Sequence, residues 1–345
     1  MTIEFCGERV MKRREFLKAS AASAACFSMS GLTLAMPKWA EAAQTTRSTI
    51  NLVAEVAQKT VATAATGATA NVLVPVWQFR DQAAPGPGLL ASGIVGRTGD
   101  TITISLTNTL DRPINFVIPG MLETSTPVPP GSSGTIAFVL RAPGSYFYTD
   151  GANGQLGRAM GLVGPLVVLP QQSGLNSLLS NPAVAPNAPA APNLTLFDQQ
   201  YTLLLHEMDS RLNSAIASGG TFDMATYEPN YFFINGLSYP ATKSDPTTFI
   251  KMALAEVVAI RFINAGLIYY PMHFHGYHVD VVLRNRTQEK AVVSKDSVLV
   301  SVGECVDTLL EVNQVGAYPL HSHYMPAVTA NGVYPFGNML LLQAS

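Results

Sequence analysis

The sequence predicts an all-β protein of two domains, each a Greek-key barrel or sandwich. Three observations point there. Short runs of alternating polar and apolar residues recur at regular spacing. Glycine and proline, 27 and 23 of the 345 residues, punctuate them as turns. No long amphipathic helical pattern intervenes. The length suits two ordinary domains. A composition 48% hydrophobic and 13% charged argues for a large buried core and against disorder. The net charge of -2 offers no basic field for nucleic acid.

Taken in order, the chain opens on a leader. Lys12-Arg13-Arg14-Glu15-Phe16-Leu17-Lys18 precedes an Ala/Ser-rich run from Ala19 to about Met36, and Ala40-Glu41-Ala42 places small residues at cleavage spacing. Residues 1–42 are read as a signal peptide. The paired arginines mark the twin-arginine route, which carries folded proteins to the periplasm. No later run reaches the ~18 unbroken apolar residues of a spanning helix, so no membrane association is expected of the mature chain. Cys6 and Cys26 fall in the leader region and leave Cys305 alone, which excludes an internal disulfide or a zinc–thiolate cluster in the mature chain.

A first domain is expected over residues 43–170. Its strands are Asn51–Glu55, Val72–Phe79, Thr101–Asn108, Gly134–Arg141, Ser145–Thr149 and Gly164–Leu169. A Gly/Ala/Thr-rich turn separates the first two. Residues 171–197, rich in Pro, Ala, Asn and Ser, read as a linker. The second domain, residues 198–345, offers strands at Tyr201–His206, Tyr231–Asn235, Val257–Asn264, His275–Arg284, Val298–Val302, Thr308–Val312 and Met339–Gln343. The halves echo each other. Gly99-Asp100-Thr101-Ile102 leads to Asn108 as Glu256-Val257 leads to Asn264, and Gly144-Ser145-Tyr146 matches Gly316-Ala317-Tyr318. This is the mark of an internal duplication.

Five of the six histidines fall in two clusters, Tyr270-Pro271-Met272-His273-Phe274-His275-Gly276-Tyr277-His278 and Pro319-Leu320-His321-Ser322-His323. His-x-His on a strand sets two imidazoles on one face, about 6–7 Å apart. Two such strands side by side aim four imidazoles at one spot, so His273, His275, His321 and His323 are the expected metal ligands. Imidazole suits copper, zinc, iron and nickel. His278 lies off the doublet, and His206, on a strand, reads as a satisfied structural histidine.

These residues resemble those of the multicopper oxidase superfamily. In the first domain the resemblance is carried by Pro85-Gly86-Pro87, Gly99-Asp100, Asn108, Thr126-Pro127-Val128-Pro129-Pro130-Gly131 and Gly161-Leu162-Val163-Gly164-Pro165-Leu166. In the second it is carried by Ile234-Asn235-Gly236, Pro271-Met272-His273-Phe274-His275-Gly276, the His321/His323 doublet and Gly337-Asn338-Met339. It implies two cupredoxin-like domains, copper as the cofactor, oxidoreductase activity, and a homotrimer like the two-domain laccases and copper nitrite reductases, with sites between subunits. The departures are specific. Where the family's blue centre has His, Cys and His, this chain has Tyr270, Ser322 and Ala327, and a blue centre needs the thiolate. Where the first domain of the family has His-x-His-Gly and a His-x-His after Tyr-x-Tyr, this chain reads Val117-Ile118-Pro119-Gly120 and Tyr146-Phe147-Tyr148-Thr149-Asp150-Gly151. The expected copper site is therefore a histidine-only remnant. Asp150, Met325 and Met339 are further candidate ligands, and Asp209, Asp280 and Tyr270 are candidate acids, bases or electron relays. A copper-binding protein without turnover, or a metal-free scaffold, is the alternative.

Overall fold

The structure, a computed structural model, describes residues 47–65, 68–83, 93–171, 177–178 and 196–345. The leader, Pro85-Gly86-Pro87 and most of the linker lie outside the described residues.

The first unit opens with a long hairpin, β1 (Thr49–Ala65) and β2 (Ala68–Asp81). It continues with β3 (Ile94–Arg97), β4 (Thr101–Asn108), β5 (Phe116–Val117), β6 (Ser133–Val139) and β7 (Gly144–Asp150). A single helical turn and a half, α1 (Gln155–Met160), precedes β8 (Val163–Leu169). The strands form two four-stranded sheets, ordered β2-β1-β4-β6 and β3-β8-β7-β5. β4 shows why: its alternation sends Ile102, Ile104, Leu106 and Asn108 inward and leaves the intervening residues at the surface. Their shared core includes Phe79, Phe116, Phe138 and Tyr148. The expected turn after Glu55 is not there. β1 runs ten residues further, because Val56 to Ala65 pair in register with Ala68 to Trp77.

The second unit runs through β9 (Gln199–Met208), α2 (Ser210–Ala217), β10 (Tyr231–Ile234), β11 (Ile250–Met252), β12 (Val257–Asn264) and β13 (Tyr270–Phe274). Then follow β14 (Val279–Arg284), β15 (Thr287–Lys295), β16 (Ser297–Val300), β17 (Cys305–Glu311), β18 (Gly316–Ser322) and β19 (Met339–Ala344). A six-stranded sheet, β10-β9-β12-β17-β14-β15, faces a five-stranded one, β11-β19-β18-β13-β16. The strand expected over His275–Arg284 starts later, at Val279. Gly276 takes a left-handed φ of 73°, and a Cβ there would press on the Tyr318 ring, so the chain turns and crosses from one sheet to the other.

β9, β12 and β17 are buried on both faces, which explains their near-continuous apolar reading. One face closes the second core. Part of the other packs on the first unit, where Phe147 and Val163 meet Leu204, Ile263, Ala265 and Cys305. The β1–β2 hairpin adds a further contact, Val61, Val74 and Val76 against Met208, Tyr231 and Phe233. Leu178 and Phe197, from the expected linker, are buried against Ala259, Val282, Leu283 and Leu309. Each fully buried Val, Leu, Ile or Phe stabilises by about 1.5–3 kcal/mol, so these contacts hold the two units firmly together.

Candidate metal centre

β13 and β18 lie antiparallel in one sheet with His273 directly opposite His321. Alternation along β13 buries Tyr270, Met272 and Phe274 and turns Pro271 and His273 outward. The same alternation on β18 buries Leu320 and Ser322 and turns His321 outward. His275 and His323 stand one residue past the ends of their strands. Two further ladder bonds hold them there: His275 N–H donates to the Pro319 carbonyl (3.0 Å) and His323 N–H to that of Pro271 (2.7 Å).

The four imidazoles converge on the outer face of the sheet. Ring centroids are 4.4 Å apart for His273 and His323, 4.8 Å for His273 and His275, 5.1 Å for His275 and His321, and 5.3 Å for His321 and His323. His273 and His321 are half-buried, and His275 and His323 are exposed. His321 Nδ1 lies 3.0 Å from the Ser322 carbonyl, which can only accept, so Nδ1 carries the proton and Nε2 the lone pair. His275 Nε2 then donates to His321 Nε2 across 3.0 Å. His273 Nδ1 meets the Ser297 hydroxyl at 3.0 Å, with Asp296 Oδ2 at 4.0 Å, leaving Nε2 to face the cluster. Partial burial, followed by the fields of His273 and His323, holds His275 below the ordinary histidine range. Burial also lowers His321, against the pull of its Ser322 hydrogen bond and with the help of the other three rings. Neutral imidazole is the form that ligates.

Among the described residues, no group of three or more His, Cys, Asp or Glu side chains is placed to hold a metal ion as it stands. Within the cluster, His275 and His321 spend their inward nitrogens on each other. That pair nevertheless fits an ion. Two nitrogens each about 2.0–2.1 Å from one metal lie roughly 2.9 Å apart at a right angle and roughly 3.4 Å apart at the tetrahedral angle. The observed 3.0 Å falls between these, so loss of one proton readies both nitrogens for a shared ion.

Apart from Met339, the remaining sequence candidates lie elsewhere. Asp150 is buried and fully occupied, accepting from the backbone N–H of Asn115, Ala152 and Asn153 and from Asn153 Nδ2. Asp209 caps α2 and pairs with Arg211 (2.6 Å). Asp280 sits on β14, in the other sheet. Tyr270 points to the inner face, away from His273, and its hydroxyl donates to Glu207. Met325 is exposed in a short 3₁₀ turn, and Met339 stands opposite His321 in the β18–β19 ladder. His206 is buried with Nε2 2.7 Å from the Arg158 carbonyl, a satisfied structural residue as read. His278 is exposed in the turn before β14. Cys305 is buried at the start of β17, where burial pushes its thiol far up and leaves it an inert packing residue. Sequence reasoning missed Ser297. Nothing local marks it, and only the β13–β16 register sets it opposite His273.

Two family models described as multicopper oxidase match the chain, over residues 76–173 and residues 217–334. Among solved structures, the chain is similar to the blue copper oxidase from Nitrosomonas europaea, with 20% identity, a TM-score of 0.67, and coverage of 86% of this chain and 85% of that one. It is similar to the multicopper oxidase mgLAC at 23% identity and TM-score 0.67, covering 86% of each chain. It is also similar to the copper nitrite reductase from Nitrosomonas europaea at 20% identity and TM-score 0.58, covering 86% of this chain and 94% of that one. Identities this low speak to the two-domain cupredoxin fold. Among curated protein sequences none matches the chain.

Proposed function

This chain belongs to the multicopper oxidase family, and on that premise we propose that it is an exported copper oxidoreductase working from a histidine-only site, without a blue centre. One observation carries the proposal: four imidazoles from two adjacent strands converge, with two nitrogens at a spacing compatible with a shared ion. His273, His275, His321 and His323 would hold the copper, which would supply one-electron redox chemistry and an open position for a small ligand. The chain's own part is to position and tune the rings. Ser297 fixes the plane of His273, the Ser322 carbonyl fixes the tautomer of His321, and burial, followed by the neighbouring rings, holds His275 and His321 below the ordinary histidine range. At the three positions where the resemblance implies a blue centre, Tyr270 and Ala327 are packed in the core and the Ser322 hydroxyl accepts the Tyr324 N–H (3.1 Å). With no thiolate there, the electron comes from the substrate or an outside donor.

Export by the twin-arginine route and assembly as a homotrimer are part of the same proposal. They are supported by the Arg13-Arg14 leader and by the outward, solvent-facing placement of the cluster. That placement also favours a second reading, a periplasmic copper-binding protein that exchanges its metal without turnover. Dioxygen and nitrite consumption with a reducing donor separates the two, using copper-loaded protein beside its His321→Ala variant. Turnover that disappears in the variant is expected. Tight copper binding with no turnover, and ready release to a chelator, contradicts the oxidoreductase and leaves the carrier.

A further inference from the structure

Behind the β13 strand that carries His273 lies a second polar group, cut off from water. Tyr270 and Glu207 are both fully buried, and the Tyr270 hydroxyl donates to Glu207 Oε2. The other oxygen, Oε1, accepts the Leu267 N–H and faces the Tyr227 hydroxyl at 3.4 Å. Arg158 is the nearby cation, its guanidinium donating to the Ala265 carbonyl (3.0 Å) and to that of Gly266. Gly266 is required for this packing, because a Cβ there would overlap the Glu207 carboxylate. Every neighbour of Glu207 donates, as befits an acceptor. Burial nonetheless pushes the carboxyl up, against the pull of Tyr270, Leu267 and Arg158.

We infer that Tyr270 and Glu207 form a proton-coupled one-electron relay. The Tyr270 O–H bond breaks, its proton passes along the existing hydrogen bond to Glu207 Oε2, and one electron leaves the ring. The products are a neutral phenoxyl radical and a neutral carboxylic acid. The proton moves within an existing hydrogen bond, so no new charge appears on either partner, and Arg158, which loses its facing anion, keeps its two carbonyl acceptors at Ala265 and Gly266. No solvent molecule is needed as proton acceptor. The oxidant is a one-electron acceptor held at the histidine cluster, and this part of the inference depends on the copper reading above. His273 is three residues along the same strand, about 10 Å away at a strand's rise per residue. On the other side the path leads outward. Tyr324 packs against the core that holds Tyr270, its ring 6.4 Å from that of Phe232 and 5.7 Å from that of the half-exposed Tyr269. Aromatic side chains thus link the buried pair to the surface, at the place where the resemblance implies a copper-ligating histidine.

The test uses the full-length mature chain without metal, so that its result is independent of whether the histidines bind copper. Photogenerated tris(bipyridyl)ruthenium(III) serves as the one-electron oxidant. Frozen samples are read by electron paramagnetic and electron–nuclear double resonance. Expected is a tyrosyl radical whose phenoxyl oxygen is hydrogen-bonded to an exchangeable proton. Tyr270→Phe is expected to abolish that species, and Glu207→Gln to lower its yield at least tenfold. A radical spectrum unchanged in Tyr270→Phe would overturn the relay. So would a wild-type radical lacking the exchangeable proton, a result that stands even if the variants fail to fold.

Discussion

Ser297 shows how a single hydroxyl is expected to set the affinity of the cluster. It orients His273 from the neighbouring strand, and loss of such an outer partner typically costs 10–100-fold in metal affinity. Ser297→Ala is therefore expected to weaken copper binding by about that factor in competition with a chromophoric chelator. Unchanged affinity would remove His273 from the ligand set. His206 makes a different prediction. Burial pushes its pKa down to about 4, below the ordinary value of 6.5, so the folded state holds it neutral where the unfolded chain takes up a proton. Its contribution is fully present above pH 6.5, is lost as pH falls towards 4, and levels off below that. The loss is of order 3 kcal/mol, and His206→Gln should flatten this part of the profile in denaturant titrations. The four outward histidines were legible in the sequence because strand alternation alone puts them on one face. The Tyr270–Glu207 pair was not, because residues 63 apart meet only after β9 and β13 pack.

The elements carry the duplication into atomic detail. Asn108 and Asn264 end equivalent strands, and each bridges its following loop: the side-chain oxygen accepts the N–H two residues on, and the nitrogen donates to the carbonyl four residues on. Asn264 also donates to the Val300 and Ser301 carbonyls in the core. Asn264→Ala leaves several buried groups unpaired and should cost ~3 kcal/mol or more in urea denaturation. Before these strands, Gly99 and Ala255 hold the same turn, with φ of 95° and 70°, and each donates its N–H across to the partner strand, at Leu140 and Val312. Only glycine adopts that conformation without penalty. Ala255→Gly is accordingly expected to stabilise by about 1 kcal/mol, an effect read as a raised unfolding midpoint. The central strands and the repeat were readable because alternation and turn residues are local signals. The long hairpin was missed because Gly67 and the small residues around it read as a loop, while pairing with β2 keeps residues 56 to 65 extended. The exposed edge strand β15 was missed because with both faces in solvent it has no apolar face to alternate.

At the scale of the whole molecule, the two units are held together by apolar contacts and by charged side chains, among them the buried Lys59 and Asp307 and the half-buried Arg158. Asp307 on β17 accepts from Ser145 of the first unit, and Arg261 Nη1 lies 3.2 Å away, with both charged side chains almost completely buried. Asp307→Ala strands a buried cation at the interface. It is expected to cost roughly 3–5 kcal/mol in global stability without changing copper affinity in protein that remains folded. The same packing sets β9, β12 and β17 between the two units, and leaves the histidine face pointing away from them, towards solvent or a second copy of the chain. On the proposed function, this face holds copper through four imidazoles and no blue centre accompanies it. The most direct measurement is the metal content of the mature, exported protein by plasma mass spectrometry, with an electron paramagnetic resonance spectrum of the same sample. Stoichiometric copper with a type 2 signal and no intense blue absorption is expected, lost in a His273→Ala, His321→Ala variant. Absence of copper, or copper retained in that variant, would contradict the proposed function.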